Sequence, residues 1–386
     1  MRTGIDARVL LKPKTGVGRY TRNLISNLLL IDQKNEYILF TDTKLGINFS
    51  AGNYKEKVIW LPNFGKESIR KLGSPVWMNF CLPWGLRKEH VDLLFCPNSI
   101  SPIRQTCRKV LVIHDLSPIL FSGLHSRFHS FYLRRTFLSE IKNISKIITV
   151  SQSSKRDIIQ LFSVPEDMIK VIYSGVENIF KPINDRGVLN EKLQEYALTA
   201  KEFILYVGAL NPRKNLIKLV HAYCELRKSS RIEHRLVIVG GKNRFYATIY
   251  TVAKNLGLEN DVVFTGYIPD DDLPYIYSGA DLFVYPSFYE GFGLPPLEAM
   301  ACGTPVISSN VSSIPEITED AAILVNPNDA NDIAKAMHEV LTNKDLRKRM
   351  VHKALERASF FSWKKTAEKT LKVFEEVYGE ESFRCR

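Results

Sequence analysis

Short apolar runs alternate along the chain with longer segments whose apolar positions recur every three or four residues. In the first half the runs are Gly4–Ile5–Asp6, Tyr37–Ile38–Leu39–Phe40, Val58–Ile59–Trp60–Leu61, Leu93–Leu94–Phe95, Val110–Leu111–Val112–Ile113 and Ile147–Ile148–Thr149–Val150. In the second half they are 203–207, 236–239, 262–265, Leu282–Phe283–Val284–Tyr285 and Val306–Ile307–Ser308. These read as buried strands. Between them lie helical patterns, such as Tyr20–Leu30 with apolar residues at 24, 25, 28 and 29, and 329–342, 345–358 and 363–378 near the end. Strands alternating with helices predict an α/β chain of parallel sheets covered on both faces. Ligands of such sheets bind at the carboxyl ends of the strands. A chain of 386 residues exceeds one ordinary core, so two domains are expected.

One stretch concentrates candidate chemistry: Asp281 to Gly303, DLFVYPSFYEGFGLPPLEAMACG. A strand runs into a turn holding Gly291 and Gly293. A helix follows, with Pro295 and Pro296 in its first turn, where a missing N–H costs nothing, and Gly303 at its end. A helix start binds anions through its unpaired N–H groups and partial positive charge. Glu290 and Glu298 bracket the turn and can both face one ligand, accepting hydrogen bonds from sugar hydroxyls. A plain strand–turn–helix connection with solvated glutamates is the alternative for those residues taken alone.

The segment EGFGLPPLEAMACGTPVI resembles the E-x7-E motif of the retaining family-4 (group 1) glycosyltransferases, through Glu290, Gly291, Gly293, Pro295, Glu298, Ala299 and Cys302–Gly303–Thr304–Pro305. The resemblance extends over nearly the whole chain. It implies the GT-B fold, two Rossmann-like domains facing each other across a cleft. The domains implied are 1–175 for the acceptor and 176–362 for the nucleotide-sugar, with 363–386 as a closing helix that crosses back to the first. It also implies that Glu298 binds ribose hydroxyls and that Glu290 holds the donor sugar. Gly291, Phe292, Gly293 and Leu294 would receive the donor at the helix start.

Other loops fit this frame. Thr15–Gly16–Val17–Gly18 lies in the first strand-to-helix loop, and Gly16 and Gly18 permit close approach to a phosphate; a flexible turn is the bland alternative. His114, in HDLSP at a strand end, is either a satisfied structural histidine or, by resemblance, a contact of the donor sugar or reaction centre. Gly208 ends a strand, and the loop NPRKN carries Arg213 and Lys214, two cations suited to a leaving diphosphate. Many family members place an arginine directly after that glycine, where this chain has Ala209, so Arg213 must supply the guanidinium. Tyr267, after a further strand, is a candidate partner of the nucleotide base, and Asp270–Asp271–Asp272 reads as a helix cap. No D-x-D metal motif is evident, and neither metal nor cofactor is expected, the nucleotide-sugar being a substrate. The motifs GIDAR, TGVGRYTRNL, HDLSP and NPRKN look most like the mannosyltransferase-like branch, which makes GDP-mannose the first donor expectation.

Charge adds a partner. The net charge is +12, and residues 1–182 carry 27 Lys and Arg against 14 Asp and Glu, whereas the remainder is close to neutral. A basic half suggests an anionic partner, such as a membrane surface, a phosphorylated lipid or nucleic acid, with ordinary solubilising charge as the alternative; the membrane surface is the partner expected and nucleic acid is not. Ser74–Leu86 and Leu124–Lys142, the latter with Arg127, His129, Arg134 and Arg135, mix aromatic and basic residues as a docking face would; helices packed on the sheet are the alternative. The six cysteines show no metal spacing and read as reduced thiols. No run reaches 18 apolar residues and no signal-peptide pattern opens the chain, so a cytoplasmic protein is expected, with the inner membrane face as a docking surface. The acceptor expected is a glycan or polyprenyl-linked glycan. A GT-B epimerase and a catalytically idle binding protein are the competing classes; intact Glu290, Glu298 and Lys214 speak against the second.

Overall fold

The computed structural model describes residues 1–12, 15–50, 52–60, 75–103, 107–121 and 141–379. The chain divides into two compact units, Met1–Gly175 together with the residues from Trp363 on, and Val176–Ser362.

The first unit holds a seven-stranded, wholly parallel sheet. Its strands are β1 (Arg2–Asp6), β2 (Glu36–Thr41), β3 (Tyr54–Val58), β4 (Leu93–Cys96), β5 (Arg108–Ile113), β6 (Lys146–Thr149) and β7 (Ile169–Val171), in the order β3-β2-β1-β4-β5-β6-β7. Central strands are buried on both faces, as their apolar runs require. β3 lies at 54–58 rather than at the apolar run 58–61. It is an edge strand, YKEKV, whose alternating charges stay half exposed and conceal it from a search for apolar runs. β7, which is not among the apolar runs, is a three-residue edge strand.

Helix α1 (Gly16–Ile31) follows β1 and buries Tyr20, Leu24, Ile25, Leu28 and Leu29 at helical spacing. The last helix, here α2 (Trp363–Gly379), lies beyond the second unit in sequence yet completes the first. Its buried stripe, Trp363, Thr366, Ala367, Thr370, Val373, Phe374 and Val377, packs edge-on against Tyr20 and Phe95, with ring centroids 5.5 and 5.1 Å apart. The Thr366 hydroxyl donates to the Tyr173 carbonyl at 2.8 Å.

The second unit is a six-stranded parallel sheet of β8 (Phe203–Val207), β9 (Arg235–Val239), β10 (Val262–Gly266), β11 (Leu282–Tyr285), β12 (Val306–Ser309) and β13 (Ala322–Val325). Its order, β10-β9-β8-β11-β12-β13, reverses direction between β8 and β11. That crevice is where doubly wound sheets bind their ligands. The expected cap Asp270–Asp272 acts otherwise: Asp272 gives the helix Leu273–Gly279 no side-chain cap, and its carboxylate takes bonds from Tyr196 and Lys192 at 2.5 and 3.0 Å. Glu316 lies on the short helix Ile314–Thr318.

Candidate functional site

The loops after β8 and β11 converge on one cluster. After β8, Asn211 accepts from the Arg213 N–H at 3.0 Å and caps the single turn Pro212–Lys214. Asn215 closes that turn in the left-handed conformation, at φ 61°. Its side-chain amide donates to the Pro286 and Pro327 carbonyls at 3.0 and 2.6 Å, pinning the turn to the end of β11. Each asparagine of NPRKN thus fixes backbone, and the two cations between them are aimed rather than loose.

Their target is Glu290, only 6% exposed. Lys214 Nζ donates to both carboxylate oxygens at 2.7 and 2.8 Å, and Arg213 reaches Oε2 at 3.2 Å. The Ser287 hydroxyl donates to Oε1 at 2.5 Å. Lys214 also donates to the Tyr285 hydroxyl, and Arg213 to the Tyr289 carbonyl. Burial by itself would raise the Glu290 pKa. The charges of Lys214 and Arg213 and the bonds from Lys214 and Ser287 outweigh it and hold the carboxyl below its ordinary value. Glu290 is therefore an ionised, buried carboxylate shared by two cations. Its backbone is held as firmly: the Ser312 hydroxyl accepts from the Glu290 N–H at 3.1 Å and donates to the Glu290 carbonyl at 2.7 Å.

Gly293 caps the helix Leu294–Ala301 at φ 110°, and a Cβ there would stand 2.8 Å from Ile314. A side chain is thus excluded twice over, by backbone conformation and by space. Gly291 and Phe292 are buried in the turn, with the Phe292 ring against Phe361 at 5.9 Å. Glu298 lies about one turn into that helix, on its buried side. It is 2% exposed, and its carboxylate accepts from the Tyr277 hydroxyl at 3.0 Å. Gly208 follows β8, and Tyr267, 47% exposed, follows β10.

The candidates of the first unit sit at the carboxyl edge of its own sheet. Gly16 and Gly18 are not in a loop but in the first turn of α1, which Thr15 caps by accepting from the Gly18 N–H at 3.1 Å. A Cβ on Gly18 would fall 2.3 Å from the Lys12 carbonyl oxygen, so packing demands that glycine. His114 follows β5 and donates from Nε2 to the Pro97 carbonyl at 2.8 Å. Tyr20 meets its ring edge-on at 4.6 Å. Burial lowers its pKa against the opposing pull of the Pro97 bond and Asp115. A neutral imidazole with Nδ1 as acceptor results.

Of the aromatic stretch 74–86, Trp77 and Met78 are buried in the core, while Phe80 and Trp84, one turn apart, are 63% and 55% exposed. Lys88 lies over the Trp84 ring, 5.0 Å from its centroid. The helical pattern 124–142 falls almost wholly outside the described residues, Arg127, His129, Arg134 and Arg135 included. Among the described residues no helix is long and apolar enough to cross a membrane. Cys81, Cys96, Cys107, Cys224 and Cys302 are free thiols.

Sequence reading missed Tyr285, Ser287, Asn211, Asn215 and Ser312. Only the asparagines gave a local signal, flanking a Pro-Arg-Lys turn after a strand.

Residues 14–178 match the family described as Glycosyltransferase Family 4, and residues 190–357 match Glycosyl transferases group 1. The chain is 31% identical over 373 residues to O-antigen chain mannosyltransferase B of Escherichia coli, covering 94% of this chain and 96% of that one. Among solved structures it is similar to WaaG, a glycosyltransferase involved in lipopolysaccharide biosynthesis (TM-score 0.75, 17% identity, 97% of this chain and 99% of that one). It is likewise similar to Anabaena HepE in complex with UDP and glucose (TM-score 0.75, 20% identity, 97% and 100%). The chain belongs to the group 1, family 4 glycosyltransferases and has their GT-B fold.

Proposed function

We propose that this glycosyltransferase moves a hexose from a nucleotide-sugar to a hydroxyl of a glycan or polyprenyl-linked glycan in cell-surface polysaccharide synthesis, with retention of anomeric configuration. GDP-mannose is the first donor; the support is the mannosyltransferase relative that matches nearly end to end. The observation that carries the reading is the Arg213–Lys214–Glu290 cluster where β8 and β11 part. Two cations there suit the charge that collects on a diphosphate as its bond to the sugar breaks. The electron pair of the breaking C–O bond goes to the phosphate oxygen. The acceptor oxygen bonds to the anomeric carbon on the same face, and its proton passes to the departing phosphate. Glu290 holds and orients the sugar, and no metal is required where Lys214 and Arg213 supply the counter-charge. The ribose role of Glu298 and the donor-sugar role of His114 rest on the motifs. Acceptor binding falls to the basic first unit, which docks on an anionic membrane from the cytoplasmic side through the Phe80–Trp84 face.

A UDP-sugar is the second donor reading, favoured by the likeness to a protein solved with UDP and glucose. Thermal shift against GDP, UDP, ADP and their sugars separates the two, since a ligand of the native state raises the melting temperature. Stabilisation by GDP and GDP-mannose, lost in Lys214→Ala, is the expected result. Stabilisation by UDP alone discards mannose, and no shift with any nucleotide discards the donor site.

A further inference from the structure

We propose that Tyr285 is a positioning residue of the donor site: its hydroxyl accepts from Lys214 and so sets where the lysine ammonium stands. The inference rests on the reading of Lys214 as a diphosphate ligand. Tyr285 ends β11, is fully buried, and cannot reach solvent or substrate as the ring now lies. Its ring is fixed from both sides, stacked on Tyr206 of β8 at 5.7 Å and 16° and on Phe283 at 5.8 Å and 19°. A flexible lysine thus meets a hydroxyl that cannot move. Glu290 receives the ammonium on both carboxylate oxygens, an arc of approach that the Tyr285 hydroxyl narrows to one direction. Glu290 and the Tyr285 hydroxyl together leave one position.

The titratable and charged groups around Glu290 are Lys214 and Arg213 from the loop after β8, Tyr206 from β8 itself and Tyr285 from β11. Burial and then the Glu290 charge push the Tyr285 pKa well up, so the phenol stays neutral and its oxygen accepts from the Lys214 ammonium.

Tyr285→Phe removes the hydroxyl and keeps the ring. The nucleoside diphosphate that stabilises the wild type, GDP or UDP, should bind about tenfold or more weakly, the usual scale for a lost hydrogen bond to a charged group. A second readout does not depend on ligand. The Glu290 side-chain carboxyl carbon, followed by 13C NMR and assigned with Glu290→Gln, should titrate at higher pH in Tyr285→Phe, because the ammonium that favours its ionised form is no longer held in place. Tyr206→Phe is the packing control: it removes a hydroxyl that serves the Ala209 carbonyl at 3.2 Å and should leave the Glu290 titration in place. Should Tyr285→Phe fail to fold, 3-fluorotyrosine at 285 keeps the shape with a weaker acceptor oxygen for Lys214 and should lower diphosphate affinity. Unchanged diphosphate affinity with an unmoved Glu290 titration in Tyr285→Phe, or unchanged diphosphate affinity with fluorotyrosine, overturns the proposal. Full diphosphate affinity in Lys214→Ala overturns the donor reading instead, and the positioning role with it.

Discussion

Both sheets reverse strand order once, between β1 and β4 in the first unit and between β8 and β11 in the second, and the two crevice edges are furnished differently. In the second unit, charge is gathered and answered within a few ångströms, two cations on one carboxylate, under clamps of serine and asparagine. In the first, Gly16 and Gly18 lie in a helix turn, Gly18 packed tight against the Lys12 carbonyl, Asp6 and Arg8 are paired at 2.9 Å, and the histidine is kept neutral. The same topology thus gathers two cations on one buried carboxylate in one case and an ion pair beside a tightly packed helix start in the other. A developing negative charge is better stabilised in the former.

The strongest test of this contrast is Lys214→Ala. It should reduce turnover about 100- to 1000-fold, as for loss of a principal donor to transition-state charge, in a steady-state assay of nucleotide release. A fall under about tenfold would put the charge-bearing work elsewhere. Gly18→Ala should hit the first unit by sterics, costing about 1–3 kcal/mol in urea unfolding, since the new Cβ meets a carbonyl oxygen at 2.3 Å. If stability held, the packing account of that glycine would go.

The His114 prediction concerns pH. Its folded pKa is lowered, so as pH falls through about 6.5 the unfolded chain binds the proton before the folded one does. Its contribution to stability is complete above that pH and is lost on acidification toward the folded pKa. Urea unfolding at pH 7.5 and 5.5 should show a larger acid loss in wild type than in His114→Gln; equal losses would mean a solvated imidazole. The smallest expected change in stability is Trp84→Ser, within about 0.5 kcal/mol for an exposed position. Sedimentation with anionic vesicles should fall in the same variant, and unchanged binding would move the membrane face elsewhere.

Legibility in the sequence followed burial and locality. Strands buried on both faces were plain as apolar runs, and helices α1 and α2 as periodic stripes. β3 was misplaced and β7 missed because edge strands are short and half polar. Glu290, Arg213 and Lys214 stood out by charge and motif. Tyr285 did not, because a tyrosine in LFVY reads as core, and its work is done with a lysine 71 positions earlier. Glu298 was found by its motif but not its burial, since Tyr277 meets it only after folding.

The return of α2 to the first unit has a consequence for synthesis. The second unit is one uninterrupted stretch, Val176–Ser362, whereas the first needs residues from Trp363 on. On the ribosome, then, the later-made unit can fold first. The earlier one waits with the seats of Phe374 and Trp363 open beside Phe95 and Tyr20 until those residues have been made.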